Sequence, residues 1–320
     1  MDIFKNKNIL IIGDLMLDSY LFGNVDRISP EAPVPIVNIF TKEDKLGGAS
    51  NVAKNIKKLG GTPLLCSIIG QDNNGKTLLS LLKQAKIQTD YIHKSKQRIT
   101  TVKTRIIGNN HQMLRIDEEI NNELNGEQQL ILSLVEDAFK NNKIDCVLFQ
   151  DYDKGVINQN IINIVTDKSN ELGIPILVDP KKKNFSKYKN VTFFKPNFKE
   201  FKEGLNIVSQ DRFEILNFGS EELHDRGIKI VFITLSENGI FISYKKDKKI
   251  IRKIVPGTSR SVVDVSGAGD TVISVAAMLL GDIDIEEIAK ISNVAGGLVC
   301  EKVGVASIDK YQLLKEYNKK

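Results

Sequence analysis

Cys146-Val147-Leu148-Phe149, a helical pattern from Ile157 to Leu172, and Ile176-Leu177-Val178 read together as strand, helix, strand. Such a crossover lays two strands side by side in parallel. The rhythm is already present upstream at Asn8–Ile12, Ala49–Leu59, Leu64–Ile69 and Lys76–Lys86. It continues at Val191–Phe194 and Ile230–Thr234. An α/β chain follows: a three-layer α/β/α fold with a mostly parallel central sheet covered by helices on both faces. In sheets of this kind the ligand crevice lies beyond the carboxyl ends of the strands, so strand-end residues are the first suspects.

Two segments break the rhythm. Val34–Phe40, after the proline-rich Ser29–Pro35, and the pair Thr100–Ile107 and Gln112–Asp117 look like strands joined without helices, with Gly108-Asn109-Asn110 as a turn. They predict a small antiparallel β-flap with lid segments near 15–45 and 96–118. Such a flap could cover a substrate or form a dimer contact; an ordinary edge hairpin is the alternative. A length of 320 residues fits one main core, so residues 1–320 are expected to form a single domain.

Composition narrows the function classes. With 41% hydrophobic and 27% charged residues the chain is of the soluble globular type. The net charge of +5 comes from 45 basic residues spread among 40 acidic ones, a mixed solvated surface and not a nucleic-acid face. The densest basic run, Lys181-Lys182-Lys183, follows Asp179-Pro180 and could meet either solvent or a phosphorylated small molecule. Cys66, Cys146 and Cys300 form no CxxC pair and the three histidines are scattered, so neither a disulfide framework nor a zinc site is indicated. Val272–Leu280 is too short to span a bilayer and the N-terminus lacks a signal-peptide pattern. A cytoplasmic protein with neither membrane nor nucleic-acid partner is expected.

The stretch richest in chemistry is Val263-Asp264-Val265-Ser266-Gly267-Ala268-Gly269-Asp270-Thr271, which runs into the apolar helix Val272–Leu280. Small residues let a ligand approach the backbone, and a helix N-terminus presents unpaired N–H groups with a partial positive charge. Gly267, Ala268 and Gly269 therefore form a candidate anion hole. Asp270, in the first helical turn, could be only a dipole partner or cap, and local physics alone favours that reading. A second pattern competes: Gly70-Gln71-Asp72-Asn73-Asn74-Gly75-Lys76-Thr77 satisfies GxxxxGK[ST] between a strand and a helix, and Cys146–Phe149 with Asp151 imitates a Walker B strand. A P-loop NTPase is thus an alternative, weakened by Asp72, whose charge would repel phosphate.

Asp264-Val265-Ser266-Gly267-Ala268-Gly269-Asp270 resembles the C-terminal signature of the PfkB, ribokinase-like carbohydrate kinases, and Gly47-Gly48-Ala49-Ser50-Asn51-Val52-Ala53 resembles their N-terminal signature. The likeness implies a ribokinase-like fold, an ATP-dependent sugar kinase, and Asp270 as catalytic base. It implies sugar contacts at Gly47, Gly48 and Asn51, and a sugar-binding acid cluster at Asp14 and Asp18. On the nucleotide side it implies Asn197, Glu200, Thr234, Ser236, Gly239, Gly267, Gly269, Asn293 and Gly297, with Asn197 and Glu200 organising Mg²⁺ through water. By itself Asn197 with Glu200 would read as an N-cap and capping box. In relatives K⁺ often lies behind the anion hole, here near Asp264, Ser266 and Val299–Ser307; the sequence alone does not assert it. A non-catalytic sugar-binding protein on the same fold is a further alternative, opposed by the retention of Asp270, since binding needs no base.

Gly13–Asp18 followed by Asp26-Arg27-Ile28-Ser29-Pro30-Glu31-Ala32-Pro33-Val34-Pro35 resembles one branch of that family, kinases that phosphorylate D-glycero-β-D-manno-heptose 7-phosphate at O1 on the route to ADP-heptose. Lys103-Thr104-Arg105, Gln112–Asp117 and Gln150-Asp151-Tyr152-Asp153-Lys154-Gly155 extend the match. A substrate that already carries phosphate needs fixed cations, for which Arg27, Lys103, Arg105 and Lys154 are candidates, beside Gln150 and Asp151. Asn109 stands where a basic residue is usual, and Asp153 where a small one is. The resemblance implies a stand-alone kinase without a nucleotidyltransferase domain, and a homodimer formed through the lid.

Overall fold

Strands that are apolar on both sides need cover on both sides, and the chain supplies it by placing a helix after almost every central strand. The structure, a computed structural model, describes residues 3–123, 126–247, 249–258 and 260–319. The chain begins with β1 (Asn8–Gly13), β2 (Leu15–Ile28), β3 (Pro35–Gly48), α1 (Ala49–Leu59), β4 (Thr62–Gly70), α2 (Asn73–Gln84) and β5 (Ile92–Ser95). Next come β6 (Thr101–Gly108), β7 (His111–Glu118), α3 (Gln128–Asn141), β8 (Cys146–Gln150), α4 (Gln159–Glu171), β9 (Ile176–Asp179) and β10 (Phe193–Phe194). The last third holds α5 (Phe198–Gly204), α6 (Arg212–Asp225), β11 (Ile230–Thr234), β12 (Ile240–Lys246), β13 (Lys249–Val255), α7 (Ala268–Leu279), α8 (Ile285–Cys300) and α9 (Lys310–Tyr317).

The main sheet has nine strands among the described residues, in the order β13-β12-β11-β10-β9-β8-β1-β4-β5. All neighbours from β11 to β5 pair in parallel; β12 and β13 are antiparallel. Alternation along each strand divides the core in two. Ile9, Ile11, Leu148, Leu177 and Phe232 pack with α1, α7 and α8, whereas Leu10, Ile12, Val147, Val178 and Val231 pack with α3, α4, α5 and α6. The expected three layers and mostly parallel sheet are present. Among the described residues no helix is long and apolar enough to cross a membrane.

The flap is a separate four-stranded sheet, β3-β2-β6-β7. It is not wholly antiparallel: β2 pairs in parallel with β6, which lets both hairpins share one sheet. Asn109 and Asn110 both take positive φ (50° and 67°), as a two-residue hairpin turn requires. Asn109 also spans to β2, donating to the Val25 carbonyl and accepting from the Val25 N–H, both at 3.1 Å. Its side chain is thereby committed to holding the flap tip.

Candidate active site

The carboxyl ends of β8, β9 and β10 meet the N-terminus of α7, and this meeting point builds the site. Val263 and Asp264 donate their N–H groups to the Cys300 carbonyl, while the Asp264 carboxylate accepts from Ser266 N–H at 2.8 Å and Gly304 N–H at 2.9 Å. Burial alone would raise the Asp264 pKa, but these backbone bonds hold it below the usual range. The tight turn leads into Gly267, which caps α7 at φ 79°, in the left-handed region that favours glycine. A Cβ there would lie 2.9 Å from Asn51 Nδ2. The Ala268 N–H closes the turn on the Val265 carbonyl at 3.2 Å, and the neighbouring N–H groups of Gly267 and Gly269 have no backbone partner among the described residues.

Asp270, in the first turn of α7, is buried and takes three donors. Asn51 Nδ2 reaches Oδ2 at 2.8 Å; Tyr152 OH and Gln150 Nε2 reach Oδ1 at 2.6 and 3.1 Å. Burial pushes its pKa up to about 6, against the pull of the bonds from Tyr152 and Asn51. A carboxylate of this kind remains ionised at neutral pH yet is a better proton acceptor than a free one.

Asp270 lies in the wall of a cavity of about 910 Å³. All nine residues expected on the nucleotide side line it: Asn197, Glu200, Thr234, Ser236, Gly239, Gly267, Gly269, Asn293 and Gly297. Asn197 and Glu200 also form the capping box of α5, with bonds of 2.8 and 2.9 Å. The capping-box reading of this pair is therefore present, and the same two side chains face the cavity. Two lysines enter the same cavity: Lys195, buried and 3.1 Å from Asp179, and Lys181, paired with Glu200 and 5.4 Å above the Tyr152 ring.

On the side expected to hold the sugar, the flap brings Asp18 to Arg105, 2.5 Å away, with Lys45 and Lys103 as its register neighbours on β3 and β6. Arg105 and Lys45 both lie over the Tyr20 ring. Gly47 lies directly beneath, where a Cβ would run into the Asp18 carboxylate; Gly48 caps α1.

Several expected contacts are placed otherwise. Asp14 is turned inward, accepting from the backbone N–H groups of Tyr152, Lys154 and Val156, so it braces the loop after β8 and does not face a sugar. Asp151 is likewise buried, bound to Asn184, Tyr188 OH and Asp153 N–H; burial and the nearby Asp14 push it up to about 7. Arg27 lies at the exposed far end of β2, about 30 Å of extended strand from Asp18, and cannot join the site within one chain. Lys103 and Lys154 converge on Glu119, at 3.4 and 2.9 Å, instead of standing free. The Gly70–Thr77 loop is closed to phosphate, because Asp72 fills it, accepting from Gly75 N–H, Thr100 N–H and Thr100 OH. Lys76 points to Asn73 on the exposed surface.

Tyr152 and Lys195 were not singled out from the sequence. Each lies one or two residues past a strand end, in the quoted Gln150–Gly155 stretch and just before Pro196-Asn197, which is the available signal. Among the described residues no group of three or more His, Cys, Asp or Glu forms a metal-holding cluster. Asp179 and Glu200 face the cavity but already hold lysines, which suits a Mg²⁺ ion carried by phosphate and water better than one caged by protein.

Comparison with known proteins agrees with this geometry. The model of the pfkB family of carbohydrate kinases matches residues 6–310. The chain is 38% identical over 309 residues to the bifunctional protein HldE of Methylobacillus flagellatus, covering 96% of this chain and 62% of that protein. It is 40% identical over 305 residues to HldE of Aliarcobacter butzleri, covering 95% and 63%. The chain thus spans less than two thirds of the length of these relatives. In fold it is similar to phosphofructokinase-2 of Escherichia coli in its tetrameric inhibited form, with a TM-score of 0.77, 17% identity and coverage of 98% and 99%. Arabidopsis thaliana ribokinase complexed with ribose and ATP gives a TM-score of 0.71 at 17% identity, covering 98% and 99%. A signature carboxylate on a buried helix N-terminus, a cavity built from the family's strand ends and a match along almost the entire chain lead to one conclusion: this chain belongs to the pfkB family of carbohydrate kinases, phosphotransferases with an alcohol group as acceptor.

Proposed function

We propose that the protein transfers the γ-phosphoryl group of ATP to O1 of D-glycero-β-D-manno-heptose 7-phosphate, with Asp270 as general base. The observation that carries the reading is Asp270 itself: a buried carboxylate held by three donors, beside the Gly267 and Gly269 N–H groups and in the wall of the 910 Å³ cavity. The hydroxyl O–H bond breaks toward Asp270 as the new O–P bond forms and the bond from the γ-phosphorus to ADP breaks. The Gly267 and Gly269 N–H groups, with Lys195, stabilise negative charge on the transferring group. When bound, Mg²⁺ neutralises phosphate charge, with Asn197 and Glu200 as its contacts through water. K⁺, where used, would sit behind the turn tied together by Asp264 and Gly304.

The heptose reading rests on the resemblance of Gly13–Pro35 and Gln150–Gly155, and on the identity with the HldE proteins. Arg105, Lys45, Lys103 and Lys154 gather at the base of the flap; an acceptor that already bears phosphate would draw Lys103 and Lys154 from Glu119. The flap acts as a lid over the sugar and as the contact between two copies of the chain. Its outer half exposes Ile28, Val34, Phe40 and Leu114, an apolar surface that a partner copy would cover. Release of ADP from Mg·ATP, measured with the heptose 7-phosphate, fructose phosphates, ribose and fructose, tests the reading. Selective turnover of the heptose phosphate is expected; preference for another sugar would discard the substrate and keep the base.

A further inference from the structure

Asp270 has two oxygens, and the structure treats them unequally. Oδ1 receives two donors, Tyr152 OH at 2.6 Å and Gln150 Nε2 at 3.1 Å, which fill both of its lone-pair directions. Oδ2 receives one, Asn51 Nδ2 at 2.8 Å, and keeps one direction open. Asn51 lies in the first turn of α1, three residues after Gly48, and stands close to the Gly267 turn, so the open direction lies between the Gly47-Gly48 pair and that turn.

We propose that Tyr152 is a positioning residue of the phosphoryl transfer: with Gln150 it occupies Oδ1 and leaves Oδ2, beside Asn51, as the atom that takes the substrate proton. Tyr152 is suited to the task. Its phenol is buried among carboxylates, which pushes its pKa well above the ordinary value through burial first and Asp270 second, so it stays a neutral donor throughout the working range. Its position is built in by the backbone, because the Tyr152 N–H donates to the inward-turned Asp14 at 2.8 Å. Lys181 Nζ lies over its ring, 5.4 Å from the centroid. The charged and titratable groups acting on Asp270 come from three strand ends: Tyr152 after β8, Asp179 and Lys181 at and after β9, and Lys195 after β10; α1 contributes only the neutral Asn51. Of these, Tyr152 is the one that donates a hydrogen bond to the base and can be shortened by a single atom.

The proposal rests on Asp270 being the base, and its test separates the two. Tyr152→Phe removes one stabilising donor from the ionised carboxylate, so the Asp270 pKa should rise by about one unit or more. The midpoint is read in the free protein by ¹³C NMR of labelled Asp carboxyls, with the Asp270 signal assigned by its loss in Asp270→Asn. In steady state with Mg·ATP and the heptose 7-phosphate, the acid limb of kcat/KM should move up equally, so that the ratio of turnover at pH 8 to that at pH 6 grows about fivefold for a one-unit shift from about 6. Incorporation of 3-fluorotyrosine at position 152, which keeps the ring and strengthens the donor, should move both midpoints down. A loss of activity with unmoved midpoints in both variants, while Asp270→Asn is inactive, would reduce Tyr152 to a packing residue and overturn the proposal. Near-normal turnover in Asp270→Asn would instead overturn the base on which it rests.

Discussion

Replacing Asp270 by Asn should lower activity and raise stability together, and the structure gives the size of both effects. Asp270 is buried, and its pKa rises from the ordinary 3.8 to about 6. An acid whose folded pKa is raised binds its proton more tightly in the folded state. Ionising it therefore costs stability, beginning near pH 4 and complete above about pH 6, and the shift corresponds to about 3 kcal/mol. Asn carries no charge and escapes that cost. It introduces one mismatch, since its amide must face a donor at either the Asn51 or the Tyr152–Gln150 side, at about 1–2 kcal/mol. The net gain at pH 7.5 is about 1–2 kcal/mol, shrinking to nothing or below near pH 4. Turnover should fall by about 10²–10⁴-fold, the usual contribution of a general base. Urea unfolding at pH 4.5, 6 and 7.5, paired with ADP release, measures both. If Asp270 were only a cap for α7, its replacement would lower stability at every pH and leave turnover near normal, and that pair of results would refute the reasoning.

Gly267→Ala forces φ 79° on a residue with a Cβ and crowds Asn51, so the turn should open; KM for ATP is expected to rise and kcat to fall, together by about tenfold for about 1–2 kcal/mol of strain. Unchanged ATP kinetics would remove the anion hole from this turn. Asp18→Asn leaves Arg105 without its carboxylate, and sugar KM should rise by about tenfold or more while ATP KM stays put; an equal rise in both would show that the pair supports the fold and not the sugar. Phe40→Asp with Leu114→Asp places charges on the flap's exposed apolar surface, and light scattering should then read the mass of one chain where the unaltered protein reads two. A mass unaffected by the substitutions would place the contact elsewhere or nowhere.

The parts of the fold that were legible in the sequence are those buried from two sides. β1, β8 and β9 are unbroken apolar runs, and β4 is one interrupted only by Ser67, because helices cover both faces; Gly48 and Gly60 bound α1 to the residue. The hairpin of β12 and β13 escaped notice because it forms the sheet edge and carries Lys245, Lys246, Lys249, Arg252 and Lys253, a composition that reads as a solvated loop. The outer half of β2 was hidden likewise, since Asn24, Asp26 and Arg27 face solvent and leave no alternation to detect. Its parallel pairing with β6 depends on chain 70 residues or more away and has no local signal at all.

The site divides along a related line. Gly267, Gly269, Asp270 and Asn51 belong to contiguous signatures, in which a turn and a helix start impose the pattern locally. Tyr152 and Lys195 owe their place to three strands coming side by side, and a single strand end does not announce what its neighbour will present. Asp14 shows how spacing misleads: four residues before Asp18, it would share a face with it on one continuous strand. The chain instead breaks between Gly13 and Leu15, and the break turns Asp14 inward to bind the loop that carries Tyr152. Asp14, Asp151 and Asp270 are all pushed upward by burial. A scaffold selected for stability alone would gain by replacing such groups with neutral ones. Their presence in one connected set, from Asp14 and Asp151 through the loop to Tyr152 and Asp270, is what the proposed base and its positioning residue require: a loop that holds Asp270 in place.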